Sequence, residues 1–346
     1  MSDILIRRDG CAGRITLNRL KALNALTWEM CLAIEDALDT WANDSDIKLL
    51  LIDAEGERAF CSGGDIAEMY ASGLRGDYDY GRRFWADEYR MNAKLFEFPK
   101  PVVSFLQGFT MGGGVGVGCH GSHRIVCESS QIAMPECGIG LVPDVGGSLI
   151  LARAPGRMGE YLGTTAARMG PGDAIYCGFA DYFIPEDHWT DLKTQLCDTG
   201  DWTLIDAAAS PPEPGPLEAQ QAQIDAHFGG ETLADIITAL QTSGDTDTIA
   251  KIAKNAPLST ATTIELIHRG RARDDIRAAL MQEYRFTSRS MEQGDFIEGI
   301  RAAIIDRDRK PKWQHASPAE VSIHATAQML MPLGKDELSF EKREKP

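Results

Sequence analysis

The sequence predicts a layered α/β protein with a helical C-terminal region. Three observations carry that reading. Short apolar, β-branched runs alternate with segments of helical periodicity from the N-terminus to about Pro185. Twice, at Gly63-Gly64 and at Gly112-Gly113-Gly114, an apolar run enters a glycine turn and a helical segment follows. After residue 186 the composition shifts, and a proline-rich spacer leads into helical patterns alone.

The elements follow in order. Residues 3–8 and 12–17 alternate about Asp9-Gly10 like a short β-hairpin. Residues 28–41 place Met30, Ile34, Leu38 and Trp41 at helical spacing, with Thr27 as N-cap. A buried strand over 47–53 leads into AEGERAFCSGGDIAEMY, where Asp65 stands ready to cap the next helix. Residues 75–98 read as a polar, aromatic-rich helix, and by pattern alone its Asp87-Glu88 pair faces solvent. A strand over 101–105 precedes the glycine cluster, and 115–119 reads as a buried helix of small residues. Glu136 and Asp144 fall in turn-forming sequence bounded by Pro135, Gly138, Pro143 and Gly146. Residues 148–162 are helical with a break at Pro155-Gly156, and a turn at Gly170-Pro171-Gly172 precedes a short helix and a strand ending at Pro185.

Residues 210–216, SPPEPGP, suit neither helix nor sheet. Helical patterns then cover 217–227, 232–241, 246–255, 260–268, 274–293 and 296–305. Four regions result: a core over 1–205, a proline-rich linker with a connecting helix over 206–230, a helical region over 231–312, and a charged, weakly structured tail over 313–346.

Composition narrows the function. The chain has 346 residues, 43% of them apolar, enough for a sizeable core. Its 35 basic and 51 acidic residues give a net charge of −16, which disfavours nucleic acid and anionic membranes as partners. No apolar run approaches the ~18 residues of a spanning helix, and MSDILIRRDG lacks the apolar core of a signal peptide. The eight cysteines follow no metal or disulfide spacing, so reduced thiols in a cytoplasm are expected. His120 and His123 lack a third ligand nearby, so they read as structural and no metal is expected. No nucleophile elbow, dinucleotide fingerprint or P-loop lysine is present.

The chemistry gathers in the glycine turns and the two later acids. A glycine turn at a helix start aims backbone N–H groups into open space, where they favour a negative oxygen. Two such donors converging on one carbonyl oxygen make an oxyanion hole for ester or thioester chemistry. Glu136 and Asp144 are carboxyl groups able to manage protons beside it.

FCSGGDI, TMGGGVG, the block running from MPE to PDVGG, and GDFIEGIRAAIIDRDRKPKW together resemble the crotonase (enoyl-CoA hydratase/isomerase) superfamily. Within it they resemble the 3-hydroxyisobutyryl-CoA hydrolase branch, from NRLKALNALT to KPKW. The resemblance implies a spiral of ββα units over the core. It also implies an acyl-CoA substrate, thioester hydrolysis in valine breakdown, no cofactor beyond the CoA of the substrate, and a homo-oligomer assembled through the C-terminal helices. Gly64 and Gly113 match the oxyanion-hole positions, and Ser62 the position whose carbonyl meets the CoA adenine. Glu136 and Asp144 match the catalytic glutamate and aspartate of the branch, and Glu88 a substrate-pocket glutamate. Hydratases of the superfamily carry a second catalytic glutamate where this chain has Gly116, and glycine cannot move a proton. The resemblance therefore favours a hydrolase over an enoyl-CoA hydratase or isomerase, and the retained carboxyl groups oppose a non-catalytic acyl-CoA-binding relative.

Overall fold

A computed structural model describes residues 2–341. Two sheets grow side by side as the chain coils. Strands β1 (Ile4–Asp9) and β2 (Ala12–Leu17) form the expected hairpin, with Asp9 paired to Ala12. Each of the next three turns of the coil adds one strand to each sheet, and a last strand, Tyr182–Phe183, extends the larger sheet alone. The larger sheet receives β3 (Leu49–Ala54), β5 (Val102–Phe105), β7 (His123–Val126) and β9 (Tyr182–Phe183), all parallel, in the order β1-β2-β3-β5-β7-β9. The smaller, three-stranded parallel sheet receives β4 (Ala59–Cys61), β6 (Phe109–Met111) and β8 (Gln131–Ala133).

Helices fill the outside of the coil. α1 (Trp28–Trp41) starts at Thr27, whose side chain accepts from the Met30 N–H, as the sequence predicts. α2 (Ala67–Leu74) has Ile66 in the cap position; Asp65 instead pairs with Arg19 at 3.0 Å and takes only a long bond, 3.4 Å, from the Ala67 N–H. α3 (Asp79–Phe96) packs on α1 and carries a buried face from Phe84 to Leu95. Asp87 and Glu88 belong to that face, at 2% and 3% exposure, so the solvated reading of the pair is corrected. α4 (Gly113–Gly118) begins inside the glycine cluster, two residues earlier than its apolar pattern suggests. α5 (Gly147–Arg153) and α6 (Met158–Thr165) flank the predicted break at Pro155-Gly156.

α7 (Pro171–Tyr176), α8 (Trp189–Thr199) and α9 (Leu204–Ala208) lead to the proline spacer, and Pro216 opens α10 (Pro216–His227). α11 (Leu233–Ser243), α12 (Thr246–Ile252), α13 (Pro257–Ala272), α14 (Ile276–Gln293) and α15 (Phe296–Ile300) follow, and α15 runs into a π-helical turn over Arg301–Ile305. One apolar cluster runs from Ile15 in β2 through α3, α13 and α14 to Leu338, so the C-terminal helices share the core of the coil. The expected weakly structured tail is corrected over its described part. It forms α16 (Ile323–Met329), buries Met329, Leu330 and Leu338, and is tied down by Arg289 to the Met329 carbonyl and by an Arg285–Glu337 ion pair at 2.7 Å. Three apolar side chains spaced along a charged segment suffice to anchor it. Residues 342–346 lie outside the described residues.

Among the described residues no helix is long and apolar enough to cross a membrane. All eight cysteines are free thiols and seven are buried.

Candidate active site

The three-stranded sheet assembles the site. Gly64, Gly113 and Glu136 lie two or three residues beyond the C-terminal ends of β4, β6 and β8, so three parallel neighbours deliver them to one edge. Open α/β sheets place ligands at such carboxyl ends. The first loop is clamped from the segment before α1: Leu26 N–H donates to the Gly63 carbonyl at 2.9 Å, Asp65 N–H to the Leu26 carbonyl at 2.7 Å, and Ser62 N–H to the Leu23 carbonyl at 3.0 Å. Buried Asn24 fixes that segment by donating to the Glu55 and Ala59 carbonyls.

The second loop abuts the first. Gly112 has φ 52°, and a Cβ there would stand 2.6 Å from Glu136 Oε1, so glycine is required on both counts. A Cβ on Gly113 would stand 3.0 Å from Glu88 Oε1 and 3.2 Å from the Gly64 nitrogen. The space in front of Gly113 is thus shared by a carboxyl oxygen and a second amide. Neither the Gly64 nor the Gly113 N–H has an acceptor among the described residues, although Gly113 is buried and buried backbone donors are almost always paired.

Glu136 opens a 3-10 turn, Glu136–Ile139, packed beneath the C-terminal motif GDFIEG. Gly299 of that motif lies so close to the Ile139 carbonyl that a Cβ would overlap it at 2.1 Å, and Asp295 presses on Gly140. Asp144 precedes α5 in a turn where Val145 has φ 53° and Gly146 φ 81°. Glu88 and Tyr89 come from α3, and the Tyr89 hydroxyl donates to Asp144 Oδ2 at 2.6 Å.

A cavity of 360 Å³ is lined by all six residues singled out in the sequence: Ser62, Gly64, Glu88, Gly113, Glu136 and Asp144. Phe84, Trp85, Met69 and Leu141 supply its apolar wall. A larger, polar cleft between α3, α14 and residues 332–339 contains none of the six.

Four buried carboxyl groups cluster at or just behind this cavity. Burial pushes Glu88 and Glu136 well above the usual carboxylate range, and the Asp144 charge pushes both further. Burial pushes Asp144 up to about 7 against the Tyr89 hydrogen bond, and Glu283 up to about 8 against bonds from Ser148 and Gly146. Such a cluster shares protons at neutral pH instead of ionising fully. Glu88 Oε1 and Glu136 Oε2 are buried with no hydrogen-bond partner. Unpaired buried oxygens of this kind are costly, and a donor brought by a ligand would relieve them.

Glu283 and Tyr89 are the residues that sequence reasoning missed. Glu283 does leave a signal, an acid on the buried stripe of α14 between Leu280 and Phe286. The two histidines go elsewhere: buried His120 donates from Nε2 to the Val145 carbonyl at 2.6 Å, and His123 stacks on Tyr182. Gly116 is closed to any side chain, because a Cβ would stand 2.7 Å from Val145 Cβ and 2.8 Å from Asn92 Nδ2.

The family profile described as Enoyl-CoA hydratase/isomerase matches residues 12–330. The zebrafish (Danio rerio) mitochondrial 3-hydroxyisobutyryl-CoA hydrolase is 36% identical over 335 residues, covering 93% of this chain and 87% of the relative. The Arabidopsis thaliana 3-hydroxyisobutyryl-CoA hydrolase 1 is 35% identical, covering 90% and 87%. Among solved structures, an enoyl-CoA hydratase from Rhodobacter sphaeroides 2.4.1 superposes with a TM-score of 0.93 at 53% identity, covering 98% of this chain and 100% of that one. A carnitinyl-CoA dehydratase from Mycobacterium thermoresistibile superposes at 0.94 with 38% identity, covering 99% and 100%.

Proposed function

This chain belongs to the enoyl-CoA hydratase/isomerase family, and from that premise we propose that it hydrolyses an acyl-CoA thioester, 3-hydroxyisobutyryl-CoA, to 3-hydroxyisobutyrate and coenzyme A, a step of valine breakdown. The observation that carries the proposal is the pair of acceptor-free amides, Gly64 and Gly113, facing a proton-sharing carboxyl cluster, with Gly116 filled in where a hydratase glutamate would stand. Both hydrolase relatives carry this activity in their names; the Gly116 packing is what favours it over the hydration named for the Rhodobacter structure.

The thioester carbonyl oxygen takes the two amides, which favour the tetrahedral intermediate over the planar ground state. In the microstates of the proton-sharing cluster that leave Glu136 ionised, it supplies the oxygen nucleophile, either directly, giving a mixed anhydride that water then opens, or by deprotonating water. The carbon–sulfur bond breaks, and the departing thiolate collects a proton from a protonated member of the cluster. Asp144, kept partly ionised by Tyr89, and Glu88 receive the substrate hydroxyl, which satisfies the unpaired Glu88 oxygen. The Ser62 carbonyl meets the adenine at the rim of the cavity. Water, thioester and carboxyl groups balance the reaction, so no cofactor enters it. We further propose a cytoplasmic setting, with which the buried free thiols agree, and a homo-oligomer built through the C-terminal helices; the zebrafish relative is named as mitochondrial.

Free-thiol release from a panel of acyl-CoAs tests the proposal, with crotonyl-CoA hydration followed in parallel. Release from 3-hydroxyisobutyryl-CoA is expected, and Glu136→Gln should lower it by about 10²–10⁴-fold while CoA binding persists. Hydration without thiol release would replace the hydrolase reading with a lyase.

A further inference from the structure

Glu283, near the middle of α14, is the buried acid behind the cavity that the proposed chemistry leaves unused. It shares its helix face with Ala279, Leu280 and Phe286, where an apolar side chain would avoid the desolvation of a carboxyl group. Its oxygens are fully engaged. Oε2 accepts from the Gly146 N–H at 2.8 Å, and Oε1 accepts from the Ser148 N–H at 3.1 Å and from the Ser148 hydroxyl at 2.5 Å.

These donors lie immediately past Asp144, and between them and Asp144 stands Val145 with φ 53°. A β-branched residue in the left-handed region is strained, and such strain persists only where the surroundings over-determine it. Here they do. His120 holds the Val145 carbonyl at 2.6 Å, the Asp144 carbonyl takes the Gly147 N–H at 2.6 Å, and Glu283 takes the two flanking amides. One turn further along α14, Thr287 Oγ1 lies 3.4 Å from the Tyr89 hydroxyl that bonds Asp144. The helix therefore reaches Asp144 by two routes, one through its backbone and one through its side chain.

We infer that Glu283 is a positioning residue, which holds the Asp144–Ser148 turn in its strained form and so keeps the Asp144 carboxyl aimed into the cavity. It touches no reacting atom. Asp144 and Glu136 from the turns, Tyr89 from α3 and His120 behind Val145 are the titratable groups that face it or its turn. Its effect on turnover depends on the hydrolase reading above, whereas its hold on the turn does not.

The test compares wild type with Glu283→Gln, which keeps the volume but turns an NH₂ toward donors, and with Ser148→Ala, which removes one donor and leaves the core packed. In Glu283→Gln the kcat for thiol release should fall by ~10- to 100-fold, the cost of a misaimed catalytic group. The KM should move by less than about threefold, because binding contacts remain. Ser148→Ala should show the same split, a few-fold in size. Independently of turnover, amide hydrogen exchange at Gly146 and Ser148 should quicken by about tenfold or more in Glu283→Gln. An unchanged kcat in a folded, active Glu283→Gln, or unchanged exchange at those two amides, would overturn the inference. If wild type releases no thiol from any acyl-CoA, the hydrolase reading fails, and the exchange rates alone decide whether Glu283 holds the turn.

Discussion

Replacing Tyr89 by Phe removes one oxygen atom and tests how the site sets the proton on Asp144. The hydroxyl donates to Asp144 Oδ2 at 2.6 Å, both groups are buried, and burial has pushed the Asp144 carboxyl up to about 7. A hydrogen bond to a charged group contributes about 1.5–3 kcal/mol. One pKa unit corresponds to about 1.4 kcal/mol, so losing the bond shifts the ionisation by roughly one to two units. The sign follows from which form the bond stabilises. The hydroxyl donates to the carboxylate, its removal favours the protonated acid, and the Asp144 pKa rises from about 7. The ring stays, and with it the edge-to-face contact to Tyr284 at 6.2 Å, so stability should fall by only ~1 kcal/mol. The assay is thiol release measured as kcat/KM across the neutral range. The ionisation near neutrality should move to higher pH by about one to two units in Tyr89→Phe. An ionisation that stays in place, or moves down, would refute the claim that Tyr89 sets the Asp144 proton.

Three further substitutions probe the same site from other sides. Gly113→Ala puts a Cβ 3.0 Å from Glu88 Oε1 and 3.2 Å from the Gly64 nitrogen, inside the space we propose for the oxyanion. Turnover should drop by about 10²–10³-fold, as on losing one oxyanion donor, with near-native melting. Gly116→Glu should not create a hydratase: its Cβ meets Val145 and Asn92 at 2.7 and 2.8 Å, so crotonyl-CoA hydration stays absent while the melting temperature falls, by overpacking of about 1–3 kcal/mol or more. Glu88→Gln should lower activity yet stabilise the fold in a pH-dependent way. The folded pKa of Glu88 lies well above its ordinary 4.5, so its destabilising effect is absent below that value and grows as pH rises above it. The gain in denaturation midpoint over wild type should therefore be larger in mildly alkaline than in acidic buffer; an equal gain at both would contradict the burial argument.

Legibility in the sequence follows the range of the interactions involved. The hairpin about Asp9-Gly10 and the helix capped by Thr27 are local, set by side-chain alternation and one cap, and both stand where the sequence puts them. The glycine turns were legible for a related reason, since strand, glycine and helix start occur within a few residues of one another. Glu88 shows the limit. Its neighbours Asp87 and Arg90 make the stretch look solvated, yet Asp87 pairs with Arg90 on the same helix and accepts from the Trp28 indole N–H of α1, while Arg90 also pairs with Glu35 of α1 at 2.8 Å, which lets the whole face be buried. No local pattern reports the partners that another helix supplies.

The C-terminal helices stand close to where the sequence puts them, yet their part in the site is not legible there, because it acts across long range. GDFIEG touches no substrate position in the cavity, but Gly299 abuts the Ile139 carbonyl and Asp295 abuts Gly140, so the motif fixes the turn that carries Glu136. Glu283, more than 130 residues from the turn it grips, fixes Asp144 in the same fashion. Two turns at the open edge of a small parallel sheet have few neighbours of their own, and a carboxyl group misplaced by about 1 Å can cost on the order of 10²-fold in rate. The helices beyond the proline spacer thus complete the active site from behind, one acid at a time. Their sequence therefore bears on the chemistry chiefly through residues behind the cavity, with Ala303 and Ile304 the part of it that reaches the cavity wall.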